Sequence, residues 1–248
     1  MATNAQGFDY ATRRPARGFM ADQPYFTRFT ICLALFIVFG FAQFSLRGFV
    51  DVRGTPLLTH LHAALMLAWL GLAVAQNVLV GRDQLSLHRK LGWLASALVA
   101  GIAVIGVSVG FSAVAGDRAP PFFSTPYFLA LTILEPLIFS VVVAWGVTLR
   151  RNTQWHRRVM LGSMIIILEP ALGRILPMPL MGAWGEWTIL ALQLLVLAIL
   201  ARHDHKGLGK THPATLSLMG IVVIVHLSVS LLSVVPPFAA FAEAIAAG

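Results

Sequence analysis

The sequence predicts an all-α, polytopic transmembrane helix bundle of about seven spans, with the N-terminus cytoplasmic and the C-terminus external. Three observations lead there: composition, the length of the apolar blocks, and the distribution of positive charge. Of 248 residues, 58% are hydrophobic and 11% charged, and the mean hydropathy is +0.80. A soluble domain carries roughly 25% charged residues, so a water-soluble core could not absorb this apolar excess. A block of about 18 apolar residues spans the hydrocarbon as a helix, and blocks of this kind occur at 29–46, 56–80, 91–115, 126–149, 159–176, 187–201 and 214–235. None shows the period-two alternation of barrel strands, which leaves helices to satisfy the backbone in lipid. With the N-terminus inside, only Arg47, Arg53, Arg118 and Arg174 of the 18 Lys and Arg residues fall outside, as the positive-inside rule requires. The net charge of +8 is therefore a topology signal for a bacterial inner (plasma) membrane, and no nucleic-acid partner is implied.

Taken in order, residues 1–25 read as a polar cytoplasmic tail, residues 26–235 as the bundle and residues 236–248 as an external tail. Arg13 and Arg14 precede the first apolar block at a distance and no small-residue cleavage site follows, so block 29–46 reads as an uncleaved anchor. Cys32, the single cysteine, lies inside it, which rules out an internal disulfide and a paired-cysteine metal site. In block 91–115, Gly92, Ser96, Val99, Ala103, Gly106 and Gly110 form a small-residue stripe suited to close helix contact. The segment 117–125, with Pro120–Pro121 and Phe122–Phe123, reads as an irregular external loop. Block 187–201 is the shortest and its ends are the least sharply marked. Pro236–Pro237 ends the last block. Trp93, Trp145 and Trp155 mark the inner boundary, and Trp184 and Trp187 the outer one.

A weak hairpin repeat relates 56–115 to 126–176. His88 and His156, 68 residues apart, each open a helix at the inner boundary beside an arginine. Ile-Leu-Glu-Pro also occurs twice, ending at Pro136 and Pro170, but its 34-residue spacing is out of phase with the histidines, so it reads as coincidence. The pattern of His62, Gln76, Arg82 and then His88, Arg89 and Gly92 resembles bacterial multi-pass membrane proteins grouped as a domain of unknown function. His156–Arg157, Met160 and Arg174 are similar to the second half of that family, and the likeness covers residues 56–176. The connection after Gln76 departs from the pattern, as do the apolar segments at both ends. The resemblance implies fold and location, and it carries no activity.

Chemistry then has to come from ionisable groups inside the blocks, which are costly in hydrocarbon and so face the interior. Glu135 and Glu169 are the acidic residues well inside, and with His62 and His226 they fall at similar depth in the outer half. His60 and His62 point about 200° apart on a helix, so one of them faces inward; Trp69 and Gln76 follow His62 at heptad spacing and make it the better choice. Arg174 lies near enough to balance a carboxylate. Low dielectric keeps unpaired side chains neutral until a cation, proton or arginine intervenes. Two readings follow: a transition-metal, haem or proton site built from His62, Glu135, Glu169 and His226, or neutral glutamates acting as polar glue between helices.

His88 and His156 likewise have two readings, as axial ligands of one haem b or as helix-start contacts at the boundary. His203, His205 and His212 in the connection after the sixth block read as a solvated loop. No Lys lies within a block, which excludes a retinal Schiff base, and there is no phosphate-binding glycine loop and no nucleophile with its base. Function therefore divides between a redox or metal-handling protein, serving a respiratory-chain or other membrane partner, and a small-molecule or proton-coupled transporter or cofactor-free membrane interaction subunit.

Overall fold

The computed structural model of the protein describes residues 21–248. The greater part of the expected tail 1–25, with Arg13, Arg14 and Arg17, lies outside the described residues. Among those described the structure is all-helical: α1 (Gln23–Leu46), α2 (Leu57–Gly81), α3 (Leu85–Ala115), α4 (Thr125–Thr148), α5 (Thr153–Ile166), α6 (Glu169–Ile175), α7 (Met178–Met181), α8 (Trp184–Leu208), α9 (Pro213–Ser233) and α10 (Pro236–Ala247). Six of these, α1, α2, α3, α4, α8 and α9, are long and apolar enough to cross a membrane. Their outer faces carry Leu35, Phe39, Leu67, Val104, Val141 and Ile224 in the open. Large apolar surface of that extent is a liability in water and the natural contact with acyl chains. The chain is a multi-pass membrane protein.

Helix α4 is the central element, packed against α3, α5, α9 and α10, while α1 covers α2, α5 and α6. Close approach is set by small residues. A Cβ on Gly106 of α3 would stand 3.0 Å from the Pro136 ring of α4, and one on Gly40 of α1 would stand 3.0 Å from the Ala171 carbonyl of α6. Trp69, Ile102 and Phe139 are buried in the same apolar core.

Block 159–176 does not form one helix. It divides into α5 and α6 at Ile167–Leu168, because Pro170 has no N–H for the carbonyl of Ile166 and its ring crowds that turn. The helix restarts when Ala171 and Leu172 donate to the Leu168 carbonyl. In a bundle interior the stranded Ile166 carbonyl needs a donor, and Gln193 of α8 supplies it: Nε2 donates to Ile166 O at 3.1 Å and to Ile165 O, which also accepts from the Leu168 N–H, at 3.0 Å. Gln193 is buried, as are all residues from 161 to 169.

One end of the bundle is held by charge. Arg158 of α5 is 1% exposed and Asp204 of α8 0%. Arg158 donates to Asp204 Oδ1 through Nε at 2.8 Å and Nη2 at 2.6 Å. Asp204 Oδ2 accepts from the Thr215 hydroxyl at 2.6 Å and the His212 backbone N–H at 3.1 Å, which ties in α9. Breaking such a fully partnered buried pair costs about 3–5 kcal/mol, because the survivor is left as an uncompensated charge. Beside it Arg157 donates to Asp22 Oδ2 at 2.7 Å and lies 4.2 Å over the Phe26 ring. Burial works to raise the Asp22 carboxyl, but Arg157, with help from His203, outweighs it and holds the group below the usual carboxylate range. His203 stacks on Tyr25 at 3.5 Å. His203 and His205 therefore belong to the last turns of α8, not to a loop, because the helix runs on to Leu208 past the end of the apolar block.

Within residues 236–248, the expected external tail, Pro236–Ala247 form α10. Pro236 and Pro237 open a helix in its first turn, where a missing N–H costs nothing. Ala242 is fully buried, and Phe241 meets Phe111 of α3 at 6.2 Å. Replacing Gln193 by Leu keeps volume but removes the donor to two interior carbonyls. It is expected to cost about 1–3 kcal/mol, seen as a lowered unfolding midpoint of purified protein in mild detergent.

Candidate metal centre

Four side chains from four helices converge behind the break. Glu135 stands one residue before Pro136 within α4, and Glu169 one residue before Pro170 at the start of α6. Each carboxyl thus sits where a proline disturbs the helix, and the two lie within hydrogen-bonding reach of one another. The two glutamates of the repeated Ile-Leu-Glu-Pro therefore meet in space, although the 34-residue spacing of the repeat is out of phase with the hairpins. Glu186, in the first turn of α8, is within hydrogen-bonding reach of Glu169 on one side and of the Tyr127 hydroxyl on the other. His226 of α9 completes the group, with Nε2 3.7 Å from Glu169 Oε2.

The donor balance is unusual. His226 Nδ1 is 3.2 Å from the Val222 carbonyl, which can only accept, so the ring proton belongs on Nδ1 and the Nε2 lone pair faces the carboxyls. Nε2 has no hydrogen-bond partner, and neither do Glu135 Oε1, Glu169 Oε1, both oxygens of Glu186 or Gln193 Oε1. Glu135, Glu169, Gln193 and His226 line a cavity of ≈ 10 Å³, close to the minimum for one water-sized occupant. Single ligand atoms of Glu169, Glu186 and His226 all lie within 4.8 Å of one another. An ion bound at about 2.0–2.2 Å from each holds its ligands roughly 3–4 Å apart, so sub-ångström shifts would close the shell.

Arg174, in the last turn of α6, provides the nearby cation. Its guanidinium donates to Pro170 O at 2.8 Å and covers the Phe41 ring at 4.2 Å, while Gln43 donates to its carbonyl at 2.8 Å. Its charge acts on both Glu135 and His62.

His62 is half-buried with Nδ1 unpartnered. It stands against Gly106, which also faces Pro136, and it is not part of the cavity lining. Of the four residues expected to converge, Glu135, Glu169 and His226 meet, while His62 flanks them. His60 is exposed and turned back toward the Val52 carbonyl at 3.2 Å, as one of two histidines on opposite helix faces must be. Glu186 escaped the sequence reading because hydropathy placed the start of its helix at Trp187; the available signal was an acidic residue between two boundary tryptophans.

At the basic end His88 and His156 are also brought together, with ring centroids 6.3 Å apart and planes at 89°. His156 Nδ1 is 2.7 Å from Gly146 O. His88 lies within reach of the Gln76 carbonyl, and its Nδ1 has no partner.

No protein-family model, curated protein or solved structure matches the chain. The site must therefore be read from its own chemistry. Converting Glu169 to Gln places an amide donor among these acceptors, and metal-free protein carrying Glu169→Gln is expected to be more stable than wild type by about 0.5–2 kcal/mol. Thermal unfolding in the presence of a chelator measures this, and a lower midpoint contradicts it.

Proposed function

We propose that the protein is a bacterial inner-membrane protein that holds one divalent transition-metal ion between Glu135, Glu169, Glu186 and His226, in a metal-handling or redox role beside a respiratory-chain or other membrane partner. The observation that carries this reading is the buried set of lone pairs on Glu135, Glu169, Gln193 and His226, which outnumber their donors: beside them the Tyr127 hydroxyl is, among the carboxyls, within reach of Glu186 alone. Such a set is costly when empty and satisfied by a cation. Three carboxylates and one neutral imidazole suit Mn²⁺, Fe²⁺ or Zn²⁺. The Nδ1 contact of His226 with a backbone carbonyl is the outer support that metal-bound histidines need. Three ionised carboxylates are balanced by a dication together with Arg174, so a filled site is neutral.

The same reading takes α5 and α6 together as one crossing, which makes seven with the six long helices. The N-terminus is then cytoplasmic and the C-terminus external. A reporter joined at Gly209 is expected on the cytoplasmic side and one joined after Gly248 on the external side; the reverse at either position removes the topology.

One observation favours a second reading, a proton-coupled transporter. A helix broken inside the bundle, with a carboxyl at the start of its second half, is an arrangement transporters use to bind ions near mid-membrane. In that case protons fill the cluster. Metal analysis decides between the two. Protein purified without chelator is expected to carry about one equivalent of Mn, Fe or Zn, and His226→Ala and Glu169→Gln are each expected to weaken it at least ~10-fold. Metal-free wild type that takes up none of these ions on titration leaves the proton reading.

A further inference from the structure

We infer that His88, His156 and Gln76 form a second metal site, for a single copper ion, at the basic end of the bundle. The inference is independent of the acidic centre, which lies beyond the apolar layer of Trp69, Val99 and Phe139. It rests on how each imidazole is held. His156 Nδ1 is 2.7 Å from Gly146 O, and a carbonyl can only accept, so the ring proton is on Nδ1 and Nε2 keeps its lone pair. His88 Nδ1 is buried without a hydrogen-bond partner, and the ring lies within reach of the Gln76 backbone carbonyl; with the ring proton on Nε2, Nδ1 offers its lone pair. His156 thus has one nitrogen held by a backbone carbonyl and the other available, which is how metal-bound histidines are oriented, and His88 offers a buried nitrogen with no partner.

The third donor is Gln76 Oε1, which is also buried and unpartnered. The Gln76 side chain lies over Gly92 of α3, where a Cβ would stand 3.7 Å from its Nε2. The ring centroids are 6.3 Å apart. A metal about 2.0–2.1 Å from one nitrogen of each ring, with the two nitrogens on opposite sides of it, sets the centroids at about this separation.

The donors select the ion. Neutral imidazoles and an amide oxygen offer no negative charge, so the hard cations Mg²⁺ and Ca²⁺ are excluded. Among divalent ions, affinity for such nitrogen sites peaks at copper. The thioether of Met160, one turn after His156, packs against the same Gly146 and adds a soft group beside the site.

The test uses the full chain in detergent, stripped with chelator and carrying Glu169→Gln so that the acidic centre does not compete. Cu²⁺ is added and followed by electron paramagnetic resonance. The first equivalent is expected to show coupling to two imidazole nitrogens. His88→Ala and His156→Ala are each expected to abolish the two-nitrogen pattern, and Gln76→Leu to weaken binding while leaving it in place. A first-equivalent spectrum unchanged by His88→Ala puts the copper elsewhere, on exposed His60 or His205, and overturns the site. If the alanine variants fail to fold, a coupling to fewer than two nitrogens in the parent protein overturns it equally. A Soret band in protein from haem-replete cells that disappears in His88→Ala overturns the single ion in favour of a haem.

Discussion

Hydrocarbon offers no partner to a backbone carbonyl, and the interior of this protein is organised around a place where a proline breaks a helix and leaves the Ile166 carbonyl without its helical donor. Pro170 ends α5 at Ile166, and the Gln193 amide takes up Ile165 O and Ile166 O. Once the amide nitrogen is committed there, Gln193 Oε1 is left without a donor and its side chain faces the cavity. The break also sets Glu169 at the start of a new helix, next to the cavity. The same residues thus repair the backbone and build the cluster.

The two ends of the bundle use polarity differently. At the basic end every lone pair of the buried ion pair is taken: Arg158, Thr215 and His212 all meet Asp204. A pair satisfied in this way fixes the relative position of α5, α8 and α9 and has no chemistry left over. Around Glu169 the opposite holds, since acceptors face acceptors across a cavity with room for one small occupant. Polar groups that merely glue helices together are expected to resemble the first case. The contrast within one molecule is the strongest reason to assign the second case to binding.

Much of the site was legible from cost alone. Glu135, Glu169 and His226 stand out in apolar blocks because lipid penalises them, and their depth followed from counting residues along helices. His62 answered the same argument and flanks the cavity, because depth says nothing about which neighbour a helix face meets. The echo of Ile-Leu-Glu-Pro looked accidental by spacing in the chain. Its two glutamates nevertheless meet in space. Glu186 and Asp204 were invisible for a common reason: both lie where helix α8 extends past its apolar stretch, and hydropathy does not report helix there.

The sequence by itself determined that the chain is a helical membrane protein, where its long helices lie, and which charges mark each end. Hydrocarbon thickness and the cost of bare polar groups act on composition and length, which are local properties of the chain. It also carried the proline that breaks the fifth block. Only the tertiary structure decided that Gln193, 23 residues beyond Pro170, would mend that break, that the two glutamates before prolines would meet, and that residues 236–247 would pack as a helix on α3 and α4. These outcomes depend on which helix faces touch, and that is set by small-residue contacts such as Gly106 on Pro136 and Gly40 on Ala171, which no periodicity along one helix reveals.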